Sequence, residues 1–267
     1  MVGFLTKLSG QHVLVTGGSK GIGRGIVQAF LAEGANVSYC SRSVRGNEFA
    51  TFPNVKYGAR AIGTAVDITD LTAIKTWVQD AANEFGKINI VVANAPTMAT
   101  RPTMQDWQTS FQGDILGLIT LIDAATPHLA QQAGNASIVV ISSLAGFEAR
   151  HPAVGGPYST LKRAQMTLAK DYGRKLAPQG IRINCVVPGF VQTPNITHAD
   201  GTLEVSTFNR EMELNAGALN EMLKLVPLGR TGKIEEIANA VLFLGSNLSS
   251  YTSGSTLVID GALSIFF

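Results

Sequence analysis

Short apolar, β-branched runs return at intervals along this chain. They read HVLVTG at 12–17, NVSYCS at 36–41, AIGTAVD at 61–67, INIVVANA at 88–95, SIVVISS at 137–143, IRINCVV at 181–187 and STLVIDG at 255–261. Near-continuous hydrophobicity marks strands covered on both faces, as in parallel sheets. Segments with helical spacing separate most of the runs. In IGRGIVQAFLAEG, Ile22, Ile26, Val27 and Phe30 share one stripe, and LTAIKTWVQDAANEFG and IEEIANAVLFLG repeat the pattern. This alternation predicts an α/β fold: a Rossmann-like, doubly wound parallel sheet of about seven strands with helices on both faces. No internal repeat, low-complexity tract or linker interrupts it, so residues 1–267 are read as one domain.

Two stretches fit the alternation poorly. Residues 42–60 carry Pro53 and the glycines Gly46 and Gly58 where a helix is due, and are expected to be mostly irregular. Residues 194–230 form a long insert containing the amphipathic EMELNAGALNEMLKL, either a helical flap over a cleft or a surface helical pair.

Composition narrows the class. With 45% hydrophobic and 15% charged residues the chain supports a large core and little disorder. Lys and Arg number 21 against 19 Asp and Glu, without a basic run, so no nucleic-acid partner is expected. No apolar run approaches the roughly 18 residues of a membrane span, and MVGFLTKLSG lacks a signal-peptide core, so a cytoplasmic protein without a membrane partner is expected. Cys40 and Cys185 lie inside apolar runs and read as buried free thiols in a reducing compartment. No metal-ligand spacing joins them to the four histidines.

Two local patterns carry chemistry. VTGGSKGIGRG at 15–25 places Gly17, Gly21 and Gly23 between a strand and a helix. Glycines there allow a tight turn and close approach to a pyrophosphate, and the helix N-terminus offers unpaired N–H groups and partial positive charge. In GPYSTLKRA, Tyr158 and Lys162 stand at i and i+4 on one helix face. An ammonium beside a phenol favours the phenolate.

Taken together, Thr16-Gly17-x-x-x-Gly21-x-Gly23 and Tyr158-x-x-x-Lys162 resemble the short-chain dehydrogenase/reductase family, and the resemblance extends over nearly the whole chain. Asp67, the ANA of 93–95, ISS at 141–143, PGFVQT at 188–193 and DGA at 260–262 fall in the family's order. The resemblance implies hydride exchange between a nicotinamide and a carbonyl or alcohol, with Tyr158 as general acid/base, Lys162 assisting it and holding the ribose, and Ser143 (or else Ser142) orienting the substrate oxygen. It also implies a cofactor bed of Gly17, Ser19, Lys20, Gly21, Ile22, Gly23, Ser41, Arg42, Asp67, Ile68, Asn94, Pro188, Gly189, Val191 and Thr193, besides Tyr158 and Lys162.

The second strand ends in Ser41-Arg42 where a carboxylate would read the ribose hydroxyl of NAD. With Lys20 nearby, that cation predicts NADP(H). A fairly apolar small-molecule carbonyl or alcohol is the expected substrate, because the insert carries Leu214, Leu219, Met222 and Leu223. A homotetramer or dimer is expected by the same resemblance.

Three features depart from the family's pattern. Asp114 takes the place of the helix asparagine whose carbonyl holds a relay water; its carboxylate either partly cancels the Lys162 field or points elsewhere. Pro96 replaces glycine in ANAP, a change expected in the pocket wall. The fifteen residues from Ser143 to Tyr158 imply a small insertion bulging at the cleft mouth, with Phe147 and His151 as candidate pocket residues. These departures leave two other readings open: a scaffold retuned for isomerisation, dehydration or enone or imine reduction, and a low-turnover NADP(H)-binding protein.

Overall fold

The computed structural model describes residues 6–45, 49, 52–132, 134–148, 155–197, 201–214 and 217–265. All seven predicted strands are present: β1 (His12–Thr16), β2 (Asn36–Ser41), β3 (Ala61–Ala65), β4 (Ile90–Ala93), β5 (Ala136–Ile141), β6 (Ile181–Pro188) and β9 (Thr256–Ile259). They form one sheet in the order β3-β2-β1-β4-β5-β6-β9, and every adjacent pair is parallel. The chain winds outward from β1 to β3, then returns to the other side of β1 with β4. That reversal opens a crevice beyond the carboxyl ends of β1 and β4, where such sheets bind ligands.

Alternation within the strands feeds two cores. Val13, Val15 and Val37 point to one face, with Ile26, Val27 and Phe30 of α1 (Gly21–Ala32) and Ile237 and Val241 of α9 (Ile234–Gly245). Leu14, Val91 and Ile138 point to the other, under α2 (Leu71–Phe85), α4 (Leu118–Ala130) and α6 (Pro157–Leu176). Burial on both faces is the reason the five inner strands read as unbroken apolar runs. Helices α1 and α9 meet at a glycine: a Cβ on Gly25 would lie 2.3 Å from Ile234 Cγ2.

Local chemistry sets the ends of the helices. Asp70 caps α2 by accepting the N–H groups of Thr72 and Ala73, and Gly86, at φ 72°, stops it. Pro157 opens α6 at the position where its missing N–H is harmless.

The central helix is not uniform. α3 (Met104–Ser110) runs through a π-helical turn, Phe111–Gly117, into α4. The widened turn presses on the neighbouring loops through its glycines. A Cβ on Gly113 would lie 2.4 Å from Thr97 Cγ2, and one on Gly117 2.5 Å from the Ile68 carbonyl oxygen.

The described part of 42–60 is irregular, as expected; Phe49 nevertheless turns into the core, edge-on to Tyr39 at 5.1 Å between ring centroids. The insert holds a small antiparallel pair, β7 (Ile196–Thr197) and β8 (Leu203–Glu204), then α7 (Thr207–Leu214) and α8 (Ala218–Leu225). Its amphipathic stretch is thus two short helices, the second opening at Gly217 with φ 90°. Short α5 (Ala145–Glu148) precedes residues 149–154, so the expected bulge and the His151 reading lie outside the described residues.

Candidate active site

Past Thr16 the backbone turns at Gly17 (φ 70°) and Gly21 (φ 55°), conformations that glycine adopts without strain. Both Gly17 and Gly18 N–H groups donate to the Cys40 carbonyl, at 2.7 and 3.2 Å, tying the loop to β2. Asn94 braces its other side: its Nδ2 donates to the carbonyls of Thr16 (3.0 Å) and Gly17 (3.3 Å), while its N–H donates to Thr16 Oγ1. A Cβ on Gly23 would stand 2.1 Å from the Gly17 carbonyl oxygen, so α1 enters this close only without a side chain. On the open side, a Cβ on Gly21 would meet only Thr193 Cγ2, at 3.6 Å.

The N-terminus of α1 has no side-chain cap and no acidic residue in its first turn. Its positive end is therefore uncompensated within the helix, which fits a pyrophosphate laid across the loop. Gly23→Ala is expected to force the 17–23 turn out of shape. Overpacking of this kind costs on the order of 1–3 kcal/mol, so the variant should melt several degrees lower and bind nicotinamide dinucleotide at least tenfold more weakly. Calorimetric titration and thermal melting read both.

The remaining cofactor-bed candidates ring the same crevice. Ser41 ends β2 and donates to the Ser43 carbonyl; Arg42 is exposed beside it. Asp67 accepts the N–H and hydroxyl of Thr69 at 2.9 and 2.8 Å, fixing the turn after β3, and Ile68 packs against the core. Ile22 is half-buried, and the Ser19 carbonyl accepts from Arg24 at 3.4 Å. Lys20 reaches the insert and pairs with Glu204 of β8 at 2.8 Å. Pro188 accepts the Leu144 N–H. Gly189 lies so close to the last strand's exit that a Cβ would be 2.7 Å from Asp260 Cβ. Val191 bridges to Gly232.

At the crevice's inner end, β5 and α6 converge. Ser142 is buried and donates to the Lys162 carbonyl at 2.7 Å, so it is engaged with the helix. Ser143 is half-exposed, its Oγ accepting only the Ala145 N–H at 3.2 Å among its described contacts. Of the two serines, Ser143 has the less engaged and less buried side chain. Lys162 is 3% exposed, with Nζ 5.8 Å from the Tyr158 ring centroid. Nζ donates to the Ile141 carbonyl (3.1 Å) and to Gln165 Oε1 (3.0 Å), and Gln165 Nε2 donates to the Asp114 carbonyl (2.8 Å).

Asp114 sits in the π-helical turn, 3% exposed. Its carboxylate accepts the Thr97 N–H at 2.9 Å and the Thr97 hydroxyl at 3.0 Å. The second alternative left open by the sequence is thus the one the geometry favours: this carboxylate grips the ANAPT turn beside Pro96. Phe147 is half-buried against the core, with the Arg163 guanidinium 4.9 Å above its ring. In the insert, Leu214 and Leu219 are exposed, and Met222 and Leu223 half-buried.

The two cysteines are free and buried, and burial pushes each thiol up to about 12. Among the described residues no cluster of His, Cys, Asp or Glu could hold a metal, and no helix is long and apolar enough to cross a membrane.

Sequence reasoning missed three parts of this arrangement. The Thr97 anchor and the π-helical turn left no signature beyond Gly113 and Gly117. Gln165 left one, a polar residue three positions after Lys162 and therefore on its face of the helix.

A parallel sheet with its glycine turn at the switch point, and an ordered serine, tyrosine and lysine beside it, define an oxidoreductase of the dinucleotide-binding class. A family model described as enoyl-(acyl carrier protein) reductase matches residues 17–264. The chain belongs to the short-chain dehydrogenase/reductase family, enzymes that interconvert CH–OH and C=O groups with a nicotinamide cofactor. It is 37% identical over 265 residues to isoepoxydon dehydrogenase patN of Penicillium expansum, covering 97% of each chain. It is 31% identical to the 3-oxoacyl-[acyl-carrier-protein] reductase FabG of Chlamydia pneumoniae, covering 96% of this chain and 98% of that one. Among solved structures, the Thermoplasma acidophilum aldohexose dehydrogenase superposes with a TM-score of 0.82 at 27% identity, over 98% of this chain and 97% of that one.

Proposed function

We propose that this protein is an NADP(H)-dependent carbonyl reductase, or alcohol dehydrogenase in reverse, with Tyr158 as general acid/base. The observation that carries the reading is the buried Lys162 ammonium, held at Ile141 and Gln165 and 5.8 Å from the Tyr158 ring centroid, beside the half-exposed Ser143 hydroxyl. When bound, the nicotinamide supplies or accepts the hydride. The chain's own residues manage position and proton. Ser143 donates to the substrate oxygen and fixes its distance from the phenol. Tyr158 gives its proton to that oxygen as a carbonyl becomes an alcohol, and takes it back in oxidation. Lys162 stabilises charge on the phenol oxygen and offers an N–H to the ribose.

The glycine loop, Asn94 and Thr193 would hold the pyrophosphate, and Arg42 the 2′-phosphate. Lys20 would join Arg42 by exchanging its Glu204 partner for phosphate. Higher identity to a dehydrogenase named for isoepoxydon than to reductases named for acyl-carrier substrates favours a small free substrate over a tethered one. We read the whole chain as one catalytic unit, its 194–230 insert as a flap, and its assembly as a homo-oligomer.

Turnover of NADPH against a carbonyl panel tests the activity. Arg42→Ala tests the cofactor choice. Loss of one charge-assisted bond is worth roughly 1.5–3 kcal/mol, so KM for NADPH should rise at least tenfold while the weaker NADH reaction stays unchanged. Comparable wild-type turnover with NADH at matched concentration would reject the NADP(H) assignment.

A further inference from the structure

Lys162 brings three N–H donors into a site where water has little access, and each needs an acceptor. Among the described residues it finds two, the Ile141 carbonyl and Gln165 Oε1. Gln165 is itself 5% exposed and spans from Lys162 to the Asp114 carbonyl. Its orientation is forced. An ammonium only donates and a carbonyl only accepts, so the amide must turn its oxygen to Lys162 and its nitrogen to Asp114. The cleft beside this chain of bonds, lined by Thr16, Ala95, Asp114, Leu118 and Gln165, has a volume of about 20 Å³, little more than one water needs.

We propose that Gln165 is a positioning residue for the reaction, a fixed amide bridge that holds the Lys162 ammonium to the central helix in place of a mobile water. The inference rests on the reading of Tyr158 and Lys162 given above. The bridge runs from α6 to the π-helical turn, and Asp114 continues it by its carboxylate to Thr97 at the pocket wall. Two side chains in series thereby tie the proton-handling helix to the segment that carries Pro96. An amide does not pass protons along itself as a water does, so proton exchange with solvent takes place at the open face, where Tyr158 and Ser143 lie.

Substituting residue 165 with side chains of opposite polarity and volume tests the bridge. Gln165→Leu keeps the volume but removes one of the ammonium's two acceptors and the donor that α6 offers to the Asp114 carbonyl. Gln165→Ala removes more volume but opens a polar slot that water enters and bridges. The expected order is therefore the reverse of a packing order. Gln165→Leu should lower kcat about tenfold, as for a lost bond to a charged group, with the NADP(H) dissociation constant within about threefold of wild type. Gln165→Ala should keep kcat within about threefold of wild type, because a bridging water nearly replaces the direct bond. Gln165→Met, of similar length, takes the place of leucine should that variant fail to fold, and carries the same expectation. Unchanged kcat in Gln165→Leu, or a loss in Gln165→Ala as deep as in Gln165→Leu, overturns the bridge. Tyr158→Phe run alongside separates the two levels: retained turnover there sinks the acid/base reading itself, whereas its loss with a neutral Gln165→Leu sinks the bridge alone.

Discussion

Tyr158→Phe is expected to lower kcat by about a hundredfold or more, the usual worth of a positioned acid/base, with cofactor affinity nearly unchanged. The ring stays in place in the first turn of α6, and only the hydroxyl is lost. The buried ammonium at 5.8 Å from the ring centroid then has no phenol oxygen to assist. Steady-state kinetics with fluorescence titration of NADPH separate the two quantities. A companion Ser143→Ala should show a smaller fall, since it removes orientation and leaves proton transfer possible. Turnover within threefold of wild type in Tyr158→Phe would remove tyrosine from the chemistry, and with it the proposed mechanism.

Acid should unfold this protein by way of His12, a residue far from the crevice. The imidazole is fully buried in β1, with Nε2 2.9 Å from Ser38 Oγ, Nδ1 against the Lys87 carbonyl and the ring 4.5 Å from Phe85. Desolvation pushes its pKa from 6.5 down to about 4, and the Lys87 carbonyl offsets only part of that. The unfolded chain takes up a proton below about 6.5, whereas the native chain does not until about 4. Unfolding therefore gains protons across this window, and stability falls as pH falls from 6.5 to 4. The full loss is about 3 kcal/mol, at 1.36 kcal/mol per unit. Urea midpoints at pH 7 and pH 4.5 should differ accordingly in the wild type. His12→Gln should be weaker at neutral pH but flatter across the window. Parallel curves for the two proteins would assign the acid sensitivity to other groups.

How far the sequence reached is clearest residue by residue. The five inner strands declared themselves because burial on both faces leaves a run of apolar residues that needs no long-range information to recognise. Helices α1, α2 and α9 were legible from their stripes, and α2 ended at its glycine within one residue of the expected place. The glycine loop was legible because only glycine satisfies its turns and its clash limits. Tyr158 and Lys162 were legible because four-residue spacing puts them on one face wherever α6 lies.

Other features had no local mark. Whether the Asp114 charge acts on Lys162 or on Thr97 depends on which loop the π-helical turn meets, a matter of packing between distant segments. The family resemblance already preferred Ser143; what it could not show is that Ser142 is bonded to the Lys162 carbonyl twenty positions away. The link from Lys20 to Glu204, across 184 positions, arose only when the insert folded back onto the glycine loop. From the chain alone came the sheet, the glycine turn after β1 and the Tyr158–Lys162 juxtaposition, since periodicity, turn geometry and helix pitch operate over a few residues. Tertiary structure alone decided the direction of the Asp114 carboxylate, the bond that engages Ser142 and the partners of Gln165, because a buried polar group bonds to whatever partner the completed packing places within about 3 Å.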